Sequence, residues 1–197
     1  MKYPQLFTSI AGLALGAFVS MASADPTPAP AADKTPAAGF EQHGPHEHGT
    51  GKLSIAQDGG KLELDLDSPG MNLFGFEYMP KTDADKKTVA DAEAKLKDGA
   101  ALFVFDEDAG CQQTDAKVTT AQEKPDADEA EHDKGEVHSD VEASWAFTCA
   151  KPEALQTVTT KLFSTFSGFH KLNAEWVTDK GASSATLEKD DSIKLAP

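Results

Sequence analysis

The sequence contains no arginine, so lysine supplies all 18 basic side chains against 33 aspartates and glutamates. The formal net charge is −15. Proteins that bind nucleic acids or anionic membranes rely on basic surfaces, and arginine is the side chain that clamps phosphates through two parallel hydrogen bonds. The composition therefore argues against both classes of binding protein. The excess of negative charge instead favours the attraction of cations.

Long apolar runs are also scarce, and the one near the N-terminus is typical of a secretion signal. Lys2 precedes a mostly apolar stretch over residues 6–19, and Ala22-Ser23-Ala24 has the small-x-small pattern of a cleavage site. The stretch is shorter than the roughly 20 residues that span a bilayer as a helix. We predict a signal peptide over residues 1–24 and a mature chain in the periplasm that is not membrane-embedded.

Cysteine is limited to two residues, Cys111 and Cys149. In an oxidising compartment, two cysteines most simply form one disulfide. Ligation of a metal ion by the two thiolates is the alternative. A disulfide across this interval would contribute about 4 kcal/mol to stability in a chain-entropy account.

The remaining patterns divide the mature chain into a tether and one folded domain. Residues 25–40 are rich in proline and alanine and predict a flexible tether, whereas residues 41–197 carry the domain. Apolar residues alternate with polar ones on both sides of Gly59-Gly60 and predict a β-hairpin, and Thr82 is a plausible N-cap for a helix over residues 83–97. Strands are also predicted at residues 101–105, 112–121, 140–149, 157–163 and 171–178, with a last pair near 185–195. These elements predict an α+β domain with a mainly antiparallel sheet and one main helix.

The two cysteines also predict the position of a long loop. If Cys111 and Cys149 face each other on antiparallel strands, Thr120 lies opposite Asp140. The segment over residues 121–139 is mainly acidic and has almost no large apolar side chain, so it cannot bury itself and is expected to stay solvated. We therefore predict a long acidic hairpin loop with the disulfide at its base.

Five of the six histidines lie in two polar segments, one before the first strand and the other in the acidic loop. In an extended chain, His46 and His48 point the same way, about 7 Å apart, so both rings can approach one ion. Imidazole with carboxylate suits Zn²⁺, and Cu²⁺ or Ni²⁺ less selectively. His170 stands alone and is expected to be an ordinary surface histidine. The candidate ligands are His43, His46, His48, His132, Asp133, Glu136 and His138.

Catalytic motifs are not recognisable in the sequence. His46-Glu47-His48 lacks the two residues that separate glutamate from the second histidine in the H-E-x-x-H zinc-protease motif. No serine or cysteine is accompanied by a plausible base and orienting group. We expect that the protein is not an enzyme.

Several segments, taken together, resemble the zinc-regulated, zinc-binding periplasmic proteins of Gram-negative bacteria, the ZrgA type. The landmarks are HEHGTGKLSIA, GGKLELDLDSPGMNLFGFEYMPKT, LKDGAALFVF, HSDVEASWAFTC, KPEAL and the F-x-G-F-x-K-L run near Phe166. They span most of the mature chain, from about residue 43 to residue 195. The resemblance implies capture of zinc in the periplasm, in support of a zinc importer when zinc is scarce.

The same resemblance implies a set of metal ligands. It points to His46 and His48 before the first strand, and to His132 and His138 in the loop between the cysteines. Members of the family carry a histidine-rich loop there, whereas this chain has a mainly acidic one.

The expected function is therefore that of a periplasmic zinc-binding protein. The alternative is a structural or partner-binding module that binds no metal and whose acidic loop docks on a basic surface. A hydrolase with a catalytic zinc ion is a third hypothesis, which requires a rigid three-ligand site with an open position beside a pocket.

Overall fold

A computed structural model of the chain describes residues 47–122 and 138–195. The predicted signal peptide, the tether and most of the acidic loop lie outside the described residues. The strands are β1 Thr50–Asp58, β2 Lys61–Pro69, β3 Phe103–Phe105, β4 Cys111–Gln122, β5 Ser139–Cys149, β6 Thr157–Thr160, β7 Lys171–Thr178, β8 Gly181–Leu187 and β9 Ser192–Lys194. The helices are α1 Gly70–Phe74, α2 Asp83–Lys97, α3 Gly99–Leu102 and α4 Leu162–Thr165, with 3₁₀ turns at Glu107–Ala109 and Pro152–Ala154.

Six strands form one sheet in the order β4-β5-β2-β1-β7-β8, and three form a smaller sheet in the order β3-β6-β9. Only β1 and β7 run parallel among the described pairs. Side chains alternate between buried and exposed along β1, β2, β5 and β7, so one face of the large sheet is polar and the other covers the core. The α+β fold with a mainly antiparallel sheet is confirmed.

The core lies between the large sheet, α2 and the small sheet. The rings of Phe103 and Trp145 meet edge to face at 5.0 Å between centroids, which joins β3 to β5. The indole N–H of Trp145 donates to the carbonyl of Leu96 at the end of α2. Because these rings are almost fully buried, they fix the positions of α2 and the small sheet on the inner face of the large one.

The first hairpin and the main helix match the sequence prediction. Strands β1 and β2 pair antiparallel, from Asp58 opposite Lys61 to Lys52 opposite Asp67. Helix α2 begins after Thr82, whose hydroxyl accepts from the backbone of Asp85 while the Asp85 carboxylate accepts from the backbone of Thr82. This reciprocal capping box fixes where the helix starts.

The disulfide between Cys111 and Cys149 is present and joins the base of the β4–β5 hairpin. The predicted pairing of Thr120 with Asp140 is wrong by one residue, because Thr114 forms a β-bulge between Gln113 and Asp115. The bulge adds one residue to β4, so Ala121 lies opposite Asp140 instead.

Three other predictions are corrected in detail. Residues 99–102 form α3, so the strand predicted from residue 101 begins at Phe103. The strand predicted over residues 157–163 ends at Thr160, where α4 follows. The expected last pair of strands does not form, because β8 pairs with β7 and β9 pairs with β6 in the other sheet.

Within the described residues, no helix combines the length and the apolar character needed to cross a bilayer.

Candidate metal centre

The topology of the large sheet brings three segments that are distant in sequence together at one end of its central strands. Strand β2 runs antiparallel to both β1 and β5, so the start of β1, the end of β2 and the start of β5 are neighbours. His48 lies just before β1, and His138 lies just before β5. The chain leaving β2 passes through α1 and then places Glu77 between them.

The turn that carries His48 is fixed by Asn72 of α1. The Asn72 carboxamide oxygen accepts from the backbone N–H of Gly49 at 2.7 Å, and its amide nitrogen donates to the carbonyl of Thr50 and the hydroxyl of Ser68. Asn72 is only 2% exposed. Buried polar groups with every partner in place are rigid, so the backbone beside His48 is held firmly.

Gly49 is the residue that makes this turn possible. Its φ of +86° lies in the left-handed region, and a Cβ there would approach Cδ2 of His170 to 2.8 Å. The backbone N–H groups of His170 and Lys171 both donate to the carbonyl of Gly49. Lys171 also forms an ion pair with Glu47 at 2.9 Å, and this hydrogen-bonded pairing lowers the pKa of Glu47. His170 therefore packs against the turn and is not part of the His48 cluster.

Glu77 lies in an irregular segment between α1 and α2. The ring of Phe76 stacks on Tyr78 at 4.6 Å between centroids, and the alternate side chain, Glu77, is turned inward. Its side chain is only 9% exposed. Glu77 is absent from the ligands predicted above, because its sequence signal is limited to being a single acidic residue within the apolar run Met71–Met79.

The two imidazoles approach the two oxygens of this one carboxylate. His48 Nε2 lies 3.2 Å from Oε1 of Glu77, and His138 Nδ1 lies 3.0 Å from Oε2. The three candidate ligand atoms all lie within 4.8 Å of one another. The side chains of His48 and His138 are 52% and 32% exposed, so the cluster is buried on its carboxylate side and open on its imidazole side.

The hydrogen bonding of the carboxylate is uneven. His138 Nδ1 and Oε2 of Glu77 satisfy hydrogen-bond geometry. Oε1 is buried and has no hydrogen bond of acceptable geometry, although Nε2 of His48 is close to it. The lone pairs of two ligands of one ion point at the ion and not at each other. Nε2 of His48 and Oε1 of Glu77, which lie close together without a hydrogen bond, are arranged in this way.

The structure thus brings together two of the predicted ligands, His48 and His138, and adds Glu77. The remaining candidates stay predictions, because they lie outside the described residues: His43, His46, His132, Asp133 and Glu136. The chain leaves β4 at Gln122 and returns at His138. The acidic loop therefore starts and ends at the same end of the strands as the cluster.

A cleft of about 620 Å³ adjoins the cluster on one side. His48 and Asn72 lie at one part of its wall, and Lys95 and Phe166 at another. The ammonium group of Lys95 lies 5.8 Å from the centre of the Phe166 ring.

The fold and the cluster together define an α+β domain with one disulfide and a candidate histidine–carboxylate metal centre at one end of the central strands of its main sheet. The model of the ZrgA family zinc uptake protein matches residues 45–194, which include both cysteines and all three members of the cluster. The chain therefore belongs to the ZrgA family of zinc uptake proteins. Among curated proteins, none matches the sequence significantly.

Proposed function

We propose that this protein captures Zn²⁺ in the periplasm through His48, Glu77 and His138 and supports zinc uptake without catalysing a reaction. The observation that carries the proposal is the placement of two imidazole nitrogens 3.2 Å and 3.0 Å from the two oxygens of one buried carboxylate. Membership of a zinc uptake family supports the choice of zinc.

The distances suit zinc. Zinc binds imidazole nitrogen and carboxylate oxygen at about 2.0–2.1 Å in tetrahedral geometry, which separates ligand atoms by roughly 3.3 Å. The two nitrogen–oxygen separations in the cluster lie within about 0.3 Å of that value. The three candidate ligand atoms lie within 4.8 Å of one another, so they would draw closer together on binding one ion.

The charges also favour a bound cation. A buried carboxylate needs a positive partner. A divalent ion bound by Glu77 would provide this charge, and the chain's net charge of −15 raises the local concentration of cations. Protons compete for the same imidazole nitrogens, so we expect zinc to be released as the solution is acidified to about pH 5.

Three protein ligands leave one tetrahedral position open. Structural zinc sites are closed by four protein ligands, whereas a site with an open position exchanges its fourth ligand. His48 is half exposed and marks the side from which an ion can enter or leave. We propose that this opening serves transfer of zinc to a component of a zinc importer, with His43, His46, His132, Asp133 and Glu136 as further ligands during capture.

The periplasmic location belongs to the same proposal. It is supported by the signal-peptide pattern over residues 1–24 and by the Cys111–Cys149 disulfide, which requires an oxidising compartment.

Calorimetric titration of the mature protein with zinc tests the proposal. The variant with both His48→Ala and His138→Ala should lose the tightest binding event, whereas His170→Ala should retain it, because His170 lies outside the cluster. Equal affinity in the double variant and the wild type would reject the site. If neither protein takes up zinc and the wild type captures a basic partner in a salt-dependent way, the partner-binding alternative would be preferred.

A zinc hydrolase is the second candidate, and one observation favours it. Two histidines and a glutamate with an open position are also the ligand set of many catalytic zinc sites, and a cleft adjoins His48. Hydrolysis needs a general base beside the metal-bound water, but among the described residues Glu77 is the only carboxylate in the cluster. Turnover of peptide or ester substrates by the zinc-loaded protein, abolished in Glu77→Gln, would favour this candidate.

A further inference from the structure

Among the described residues, strand β8 packs mainly against its neighbouring strand, β7. Six of its seven residues are exposed, and only Leu187 is buried. One edge of β8 pairs with β7, and the other edge pairs with no strand among the described residues. A row of backbone N–H and C=O groups is therefore available along its length.

The sequence of β8 does not protect this edge. Proteins usually block exposed edge strands with charged side chains, proline or β-bulges. Gly181–Leu187 reads Gly-Ala-Ser-Ser-Ala-Thr-Leu and contains no charge and no proline. The opposite edge of the same sheet, β4, is protected by the bulge at Thr114 and by the charged side chains of Asp115 and Lys117. Of the two described edges of the large sheet, the β8 edge is thus the one suited to receive another strand.

We propose that β8 pairs antiparallel with β8 of a second copy of the chain, across a two-fold axis at Ser184. Ser184 is the middle residue of the strand, so this register gives every residue from Gly181 to Leu187 a partner. The small side chains of β8 leave room for the second strand on both faces. The two six-stranded sheets then join into one continuous sheet.

The residues that flank β8 are charge-complementary in this register. Lys180, which immediately precedes β8, lies beside Glu188 of the second copy in this register. The two-fold axis repeats this pair at the other end, so two pairs of opposite charge frame the uncharged strand. Both side chains are exposed, and among the described residues neither forms an ion pair within the chain.

This symmetry favours a second copy over an unrelated strand as the partner. A two-fold interface uses the same surface on both subunits and must complement itself. The opposite charges lie at equal distances on either side of Ser184, which is what self-complementarity requires. An unrelated partner would need no such arrangement.

The dimer is expected to be weak. Pairing of one seven-residue strand buries less than the roughly 1,200 Å² of a standard stable interface. The two acidic chains also repel each other, although salt screens exposed charges beyond about 8 Å at physiological ionic strength. We expect monomers at low micromolar concentration and a growing fraction of dimers toward millimolar concentration.

Charge exchange combined with sedimentation velocity tests the register. Lys180→Glu places like charges opposite each other at both ends and should weaken association at least tenfold, as should Glu188→Lys. The double variant Lys180→Glu, Glu188→Lys restores opposite charges and should recover most of the wild-type association. A wild type that stays monomeric at every concentration, or a double variant no better than either single one, would overturn the proposal.

Cysteine crosslinking tests the axis independently. Opposed residues of an antiparallel pair have Cα atoms about 4.5–5.5 Å apart, so Ser184→Cys should form a covalent dimer under mild oxidation. Thr186→Cys is the matched control, because the same register places its two copies roughly 14 Å apart. Crosslinking of both variants at the same rate would mean random collision and would reject the pairing. Zinc titration of the same variants should match the wild type, so failure of this inference is distinguishable from failure of the proposed zinc site.

Discussion

Replacement of Glu77 by glutamine removes one negative charge from the centre of the candidate site and hardly changes its shape. Glu77 is the member of the cluster that touches both histidines, at 3.2 Å and 3.0 Å. Structural zinc sites in zinc-finger peptides have apparent binding free energies of about 10–16 kcal/mol shared among about four ligands, or roughly 3 kcal/mol for each ligand. Because each 1.4 kcal/mol is tenfold in affinity, we expect Glu77→Gln to weaken zinc binding by about a hundredfold.

The same substitution should affect the zinc-free protein differently. The wild type buries a carboxylate without a fixed cation, and an amide at this position avoids the cost of burying that charge. The metal-free variant should therefore unfold at the same or a higher temperature, while the rise in melting temperature on zinc addition should shrink. Calorimetric titration and thermal unfolding with and without zinc measure both effects.

Glu63→Gln provides the matched control, because Glu63 is an exposed glutamate on the polar face of β2. It should leave zinc affinity unchanged. Equal losses in Glu63→Gln and Glu77→Gln would mean that overall charge, and not the cluster, determines affinity. Full zinc affinity in Glu77→Gln would refute the assignment of Glu77 as a ligand.

Three further predictions follow from other contacts. Asn72→Ala removes three hydrogen bonds of a buried side chain and should cost about 3 kcal/mol of unfolding free energy in urea titrations, with zinc affinity reduced about tenfold. Replacement of Cys111 and Cys149 by serine should lower the free energy of unfolding by about 4 kcal/mol. Zinc affinity should change less than threefold, because the disulfide lies at the end of β5 opposite to His138. A large loss of zinc affinity would contradict this separation of the disulfide from the site. Burial raises the pKa of Asp106, but hydrogen bonds from two backbone N–H groups and a hydroxyl outweigh this effect and hold the pKa below its ordinary value. This stabilisation is complete above the unfolded-state pKa of about 4 and is lost as the pH falls through the folded-state value. Asp106→Asn should therefore cost about 1 kcal/mol at about pH 7 and progressively less as the solution is acidified below about pH 4. A cost that does not depend on pH would contradict this explanation.

Elements with local signals were predictable from the sequence. The alternation of apolar and polar residues on both sides of Gly59-Gly60 determines the first hairpin. The capping box of Thr82 and Asp85 determines the start of α2. Strand β7 was predicted with its observed bounds, because it alternates between buried and exposed residues. In each case the pattern and the structure depend on neighbours within a few residues.

Features that depend on distant partners were not predictable in the same way. The bulge at Thr114 has no glycine or proline to mark it, so the register between β4 and β5 was misjudged by one residue. The sequence predicts strands near the positions of β8 and β9, but it does not predict that these strands belong to different sheets. The choice of partner is decided by packing across the whole domain, which a short stretch of sequence does not encode.

The candidate site shows the same division. His48 and His138 were noticed because they lie in polar segments where histidines cluster. Glu77 was missed because it lies in an apolar run, and only the antiparallel neighbours of β2 bring that run to the two histidines. The sequence indicated the kind of ligand, and the topology selects which residues meet.

A crystal structure of the zinc-loaded mature protein, with anomalous scattering recorded at the zinc absorption edge, tests the central claim most directly. We predict an anomalous peak about 2.0–2.1 Å from nitrogen atoms of His48 and His138 and from a carboxylate oxygen of Glu77. A zinc ion bound elsewhere, with Glu77 and its two histidines still paired only with each other, would contradict the account.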